Sequence, residues 1–144
     1  MSSEQRLEDL LASHPYLIDP ELEGIRPLRQ ERRGKQRLDL AFPLADGLCL
    51  VELKVVPLQP THLDQLIGYC KEWARERRLA DHHYLIGRPS AALPTLEAQA
   101  AQSSYRIRLL YLGEHIPVQL AWDATRRRYV PHQFGSAARI SLVL

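Results

Sequence analysis

The chain has 144 residues, 45% hydrophobic and 25% charged, which fits one domain large enough for a real core. Its net charge is only +2, and no apolar run approaches the ~18 residues of a membrane span. The N-terminus, MSSEQRLEDLL, is charged and lacks the apolar stretch of a secretion signal, so a cytoplasmic protein with no membrane association is expected.

Ser2 followed by Gln5 resembles a capping box, and Leu7, Leu10 and Leu11 share one face of a short helix that His14-Pro15 should end. Glu8 lies beside that stripe. A turn at Asp19-Pro20 leads to a strand over residues 25–31, with Pro27 near its start. Positive charge here is mostly arginine, sixteen Arg against three Lys in the chain, and Arg26, Arg29, Arg32, Arg33, Lys35 and Arg37 fall within twelve positions. Arginine's planar fork suits phosphate, and the cluster reads equally as a solvated face or as a nucleic-acid footprint.

Two strands, 38–43 and 48–55, flank Asp46-Gly47, a strong signal for a tight hairpin turn. With those two residues at the centre of the turn, Ala45 pairs with Leu48, Asp39 faces Lys54 and Ala41 faces Glu52. Side chains alternate with period two, so Asp39, Glu52 and Lys54 project from one face, while Leu38, Leu40, Phe42, Cys49, Val51 and Leu53 form the other. Asp39 and Glu52 become diagonal neighbours about 7 to 8 Å apart, able to converge on one divalent cation. Mg²⁺ takes oxygen ligands, commonly one or two carboxylates, and a nearby Lys can serve attacking water or neutralise charge developing on phosphate. Taken alone, the ExK of Glu52 and Lys54 reads more readily as part of a cross-strand salt bridge from Lys54 to Asp39 on a solvent face, because so short a motif recurs by chance.

Beyond Pro57 and Pro60, a helix over 61–78 carries Leu63, Leu66, Ile67, Cys70, Trp73 and Ala74 on one stripe and His62, Gln65, Tyr69, Glu72 and Glu76 on the opposite side. A strand over 83–87, a helix over 93–104 and a strand over 105–112 follow, and segments 116–122 and 128–132 form a last hairpin. Arg126, Arg127 and Arg128 read as a solvated turn. His82 and His83, placed at a helix end, read as structural or surface residues rather than metal ligands. Cys49 and Cys70 have no CxxC spacing and read as buried reduced thiols. The tail, ARISLVL, is apolar enough to need cover from a strand or a partner subunit. The order of elements describes a mixed α/β domain.

LEDLLASHPYLI, QRLDL, VELK and DQLIGY, in that order, resemble the PD-(D/E)XK nuclease superfamily, and within it the NucS/EndoMS-like (DUF91-type) catalytic domains. The resemblance covers about half the chain. It implies an α/β fold in which a mixed β-sheet is flanked by helices, a restriction-endonuclease-like αβββαβ core over about 1–112 and extra C-terminal strands over about 113–144, all within a single domain, 1–144. It also implies Mg²⁺ or Mn²⁺ at Asp39, Glu52 and Glu8, with Lys54 and Gln65 serving the attacking water. Arg29, Arg32, Arg33, Lys35, Arg37 and Tyr69 then form the surface for DNA, or for RNA. The expected protein is an endonuclease in DNA repair or defence, a homodimer by default. Longer family members carry a separate DNA-binding domain before the catalytic one, so substrate selection is expected to come from elsewhere, including a protein partner. The rivals are a non-catalytic binding module on the same fold and a nuclease subunit that requires a partner.

Overall fold

The computed structural model describes residues 3–33, 36–112, 120–123 and 128–131. Helix α1, Ser3–Ser13, stops where Pro15 opens the first of two short 3₁₀ turns, Pro15–Leu17 and Pro20–Leu22. At the second, Asp19 Oδ1 accepts the Glu21 N–H at 2.9 Å, the turn expected at Asp19-Pro20. Strand β1 runs Leu28–Arg33, displaced from the expected 25–31 because Pro27 has no N–H for a ladder. β2 (Gln36–Leu44), β3 (Gly47–Pro57), α2 (Pro60–Ala74), β4 (His83–Arg88), α3 (Leu93–Gln102) and β5 (Ile107–Tyr111) follow, each near its expected place. Helix α2 ends at Ala74 rather than 78: its apolar stripe is finished at Trp73, and the Glu76 and Arg77 N–H groups both close onto the Trp73 carbonyl.

The five strands form one sheet in the order β1-β2-β3-β4-β5. The first two neighbour pairs are antiparallel and the last two parallel. Both parallel crossovers step the same way across the sheet, so right-handed connection places α2 and α3 on one face. That face buries Leu50, Leu63, Leu66, Cys70, Trp73, Leu85 and Leu96. The opposite face packs Leu7 and Leu11 of α1 against Leu40, Phe42, Val51 and Leu53. This is the expected helix, three strands, helix, strand core, with β5 added at its edge. β6 (Leu120–Asp123) pairs with β7 (Arg128–Pro131) as a separate hairpin, one residue past the expected 116–122 on the first strand and inside the expected 128–132 on the second. The ARISLVL tail, Arg126, Arg127, Lys35 and Ser2 lie outside the described residues.

The β2–β3 register differs from expectation. Leu44 pairs with Gly47 and Leu40 with Val51, so Ala45 and Asp46 occupy the centre of the turn. The glycine is needed for a different reason. Its φ is +140°, and a Cβ there would lie 2.5 to 2.7 Å from backbone atoms of Arg78 and Leu79. That segment docks on the hairpin base, with the Leu48 N–H donating to the Arg78 carbonyl and the Ala80 N–H to the Leu48 carbonyl, both at 2.9 Å. The slip is even, so it preserves the faces from Asp39 onward, although Leu38, expected beside Leu40 and Phe42, is buried in the cluster on the α2 side; continued one step, the slip sets Asp39 beside Glu52 and not Lys54. The charged face is no solvent face either: Ala41, Leu48 and Leu50 on it are buried beneath α2.

Candidate active site

The site forms where the β2–β3 ladder opens. Regular pairing of β2 with β3 ends at Leu40–Val51, and β1 pairs with β2 on either side of Gln30 and Asp39 but not at them. Gln30 itself has φ +51°, the left-handed conformation that costs a non-glycine residue about 1 kcal/mol or more. Beyond the opening, the Leu53 N–H donates to Asp39 Oδ2 at 2.8 Å, and the Gln30 amide donates to Asp39 Oδ1 at 3.4 Å. A side chain has replaced a carbonyl as β3's partner, and the carboxylate is thereby turned into the opening.

Asp39 and Glu52 are both buried, at 6% and 2% exposure. Burial first, and the neighbouring Asp39 carboxylate second, push the Glu52 carboxyl up to about 9. Lys54 Nζ opposes this from 3.8 Å, paired with Glu52 Oε2 and not with Asp39 as a cross-strand salt bridge would require. Glu52 Oε1 is buried with no hydrogen-bond donor among the described residues. Tyr69, expected on the polar side of α2 and at the DNA surface, is instead buried in the core beneath that helix, within reach of Glu52 and Gln65; burial and the two carboxylates raise its hydroxyl to about 12. Gln65, one helical turn away, is exposed.

Helix α1 closes the other side. Glu8 is buried, and its Oε2 accepts from Arg29 Nε at 3.1 Å and Nη2 at 2.7 Å, while Oε1 accepts from the Gln30 amide. Gln30 thus bridges Glu8 and Asp39. Arg29 also pairs with Asp9, so it holds acids and is not free to meet a ligand. An open cleft of about 480 Å³ is lined by Glu4, Gln5, Glu8, Gln30, Arg37, Asp39 and Val55. The Glu4 carboxyl is raised by burial first and by Asp39 next. A larger hollow of about 670 Å³ between α3 and β5 gathers no comparable set of acids.

The structure therefore brings together Glu8, Asp39, Glu52, Lys54 and Tyr69, with Gln65 at the margin and Arg37 on the cleft wall. Arg32 and Arg33 lie on β1, and their side chains are not among those described. The sequence reading missed Gln30 and Glu4. Glu4 precedes Glu8 by four residues and so shares its helix face, a signal that was present. Nothing local marks Gln30. The histidines differ from expectation: α2 ends well before them and both are buried. His83 Nδ1 accepts the Leu50 N–H at 2.9 Å, and burial lowers its imidazole to about 4. Cys49 and Cys70 are buried free thiols on opposite faces of the sheet, both pushed up to about 12 by burial.

The donors fit a hard divalent cation. They are carboxylate oxygens, two of them side by side, one with an unsatisfied oxygen, and their mutual repulsion is what a cation would relieve. Arg29 occupies both acceptor positions of Glu8 Oε2 and Gln30 one of Oε1, so one position on Oε1 is left and Glu8 is fitted to act through water.

No family model matches the chain, and no curated protein matches it. Among solved structures, the chain is similar to a repair endonuclease from Pyrococcus abyssi, at 17% identity and a TM-score of 0.57, over 76% of this chain and 46% of that one. A second similarity, at 22% identity and a TM-score of 0.46, is to SfsA from Pyrococcus furiosus in complex with Ca²⁺, over 75% of this chain and 58% of that one. The chain thus spans about half the length of these neighbours. The first similarity agrees with the restriction-endonuclease-like fold described above. No described helix is long and apolar enough to cross a membrane.

Proposed function

We propose that the chain is a divalent-metal-dependent nuclease of the PD-(D/E)XK type that hydrolyses DNA phosphodiester bonds, in repair. The observation that carries this reading is the buried Asp39–Glu52 pair at the opened hairpin, with an unpartnered carboxylate oxygen and Lys54 3.8 Å away. The likeness to a repair endonuclease supports it at the level of fold.

Asp39 and Glu52 would hold Mg²⁺ or Mn²⁺, which supplies charge neutralisation at the phosphate and a lowered pKa for water. Leu53 N–H and Gln30 fix Asp39; Arg29 and Gln30 fix Glu8 where it can accept from water at the cleft. Lys54 holds a positive charge beside Glu52, placed to stabilise the phosphate as charge builds or to orient the attacking water. Gln65, hydrogen-bonded to Tyr69, would position that water from α2. Arg37 on the cleft wall would contact the backbone, aided by Arg32, Arg33 and Lys35.

The test is a cleavage panel of single-stranded, duplex, flap, mismatched and branched DNA, with an RNA arm, in Mg²⁺ or Mn²⁺. Cutting that vanishes with EDTA and with Glu52→Ala is expected. Cutting that survives Glu52→Ala, or none on any substrate, contradicts the proposal.

A further inference from the structure

Asp19, Glu21 and His82 lie outside the cleft and each offers a ligand atom within 4.8 Å of the others. His82 is 6% exposed. Its Nδ1–H donates to Asp81 Oδ1 at 2.7 Å, which directs the proton to Nδ1 and leaves the lone pair on Nε2. That Nε2 is buried and has no hydrogen-bond partner among the described residues. A buried, bare imidazole nitrogen backed by a carboxylate on its other nitrogen is the arrangement in which histidine binds metal.

Asp19 is held rigidly. Its Oδ1 accepts from the Glu21 N–H, and its Oδ2 accepts from the Tyr84 hydroxyl and from Arg108 Nη1 at 3.1 Å. Oδ1 therefore keeps one acceptor position. Glu21 is exposed and free to swing inward. Three acids, Asp19, Glu21 and Asp81, meet Arg108 and Arg106, which leaves one net negative charge for a cation to offset. A tetrahedral ion with ligands near 2.1 Å sets its donors about 3.4 Å apart, so the three need close by no more than about 1.4 Å.

We propose that Asp19, Glu21 and His82 form a second cation site, selective for a zinc-class transition metal, which ties the turn after α1 to the start of β4. One imidazole with two carboxylates suits Zn²⁺, whereas the all-oxygen cleft suits Mg²⁺ or Mn²⁺. Strand pairing separates the two sites: Glu52 pairs with Leu85, three residues beyond His82, about 10 Å along the strand. The role is structural, because the turn it pins carries Leu22 into the α1-side core.

Zn²⁺ competition against a chromophoric chelator tests this on the full chain, with melting followed in parallel. Wild type and Glu52→Gln should each retain one tight Zn²⁺ equivalent that raises the melting temperature. Glu21→Gln, at an exposed position that leaves folding intact, should weaken that equivalent at least about tenfold and remove the thermal shift. Asp81→Asn should weaken it about 10- to 100-fold. Unchanged zinc affinity in Glu21→Gln, or loss of the tight equivalent in Glu52→Gln, would overturn the proposal.

Discussion

Glu52 sits at 2% exposure beside a second carboxylate, and its chemistry follows from those two facts. Unfolded, the carboxyl titrates near its ordinary value of 4.5; folded, it holds its proton to about 9. Between these values the native state binds a proton that the unfolded state has lost, so the metal-free protein loses stability as pH rises, by at most about 1.4 kcal/mol per pH unit. Urea denaturation in EDTA across that range should show this slope in wild type and a flatter one in Glu52→Gln, which becomes the more stable protein above neutral pH. Parallel slopes would refute the assignment. Gln30 gives a second prediction. Gln30→Gly suits the φ of +51° but deletes the bridge between Glu8 and Asp39, so stability should stay within about 1 kcal/mol of wild type while cleavage falls about 10- to 100-fold. The sequence could not reveal Gln30, because its importance depends on α1 and β2 arriving on either side of it.

At the scale of elements, periodicity located α1, β2, β3, α2 and β4, since each has an apolar stripe that must be buried. What it missed was a contact from elsewhere in the chain. Local turn preference puts Gly47 at the turn centre, whereas the backbone of Arg78 and Leu79 occupies the space a side chain would need. The resulting slip was even, which is why Asp39, Glu52 and Lys54 were grouped correctly while their pairing was not. Gly47→Ala should cost about 2 to 4 kcal/mol in chemical denaturation, combining a strained φ with a backbone clash. A loss under about 1 kcal/mol would mean that the docking of residues 78–80 yields easily. The same limit applies to His83, whose partner, the Leu50 N–H, is 33 residues distant in sequence.

Across the whole molecule, two helices cover one face of the sheet and α1 covers the other, so the opened hairpin is the place where buried acids reach solvent through a cleft. The basic cluster between Arg26 and Arg37 divides accordingly: Arg29 organises acids, and Arg37 lines the cleft. Sequence could count those charges but not assign them, because the division depends on which side of β1 meets α1. If the cleft tracks a nucleic-acid backbone, DNA affinity should fall steeply with salt, and Arg37→Ala should lower the log–log slope by about 1. An unchanged slope would move the phosphate contacts elsewhere. Whether the Asp39–Glu52 pair is a divalent-cation site is tested most directly by Mn²⁺ titration calorimetry near neutral pH, in two buffers of different ionisation enthalpy. Wild type should bind Mn²⁺ with release of about one proton per ion, and Glu52→Gln should lose both the binding and the release. Equal affinity and equal proton release in the two proteins would contradict the assignment.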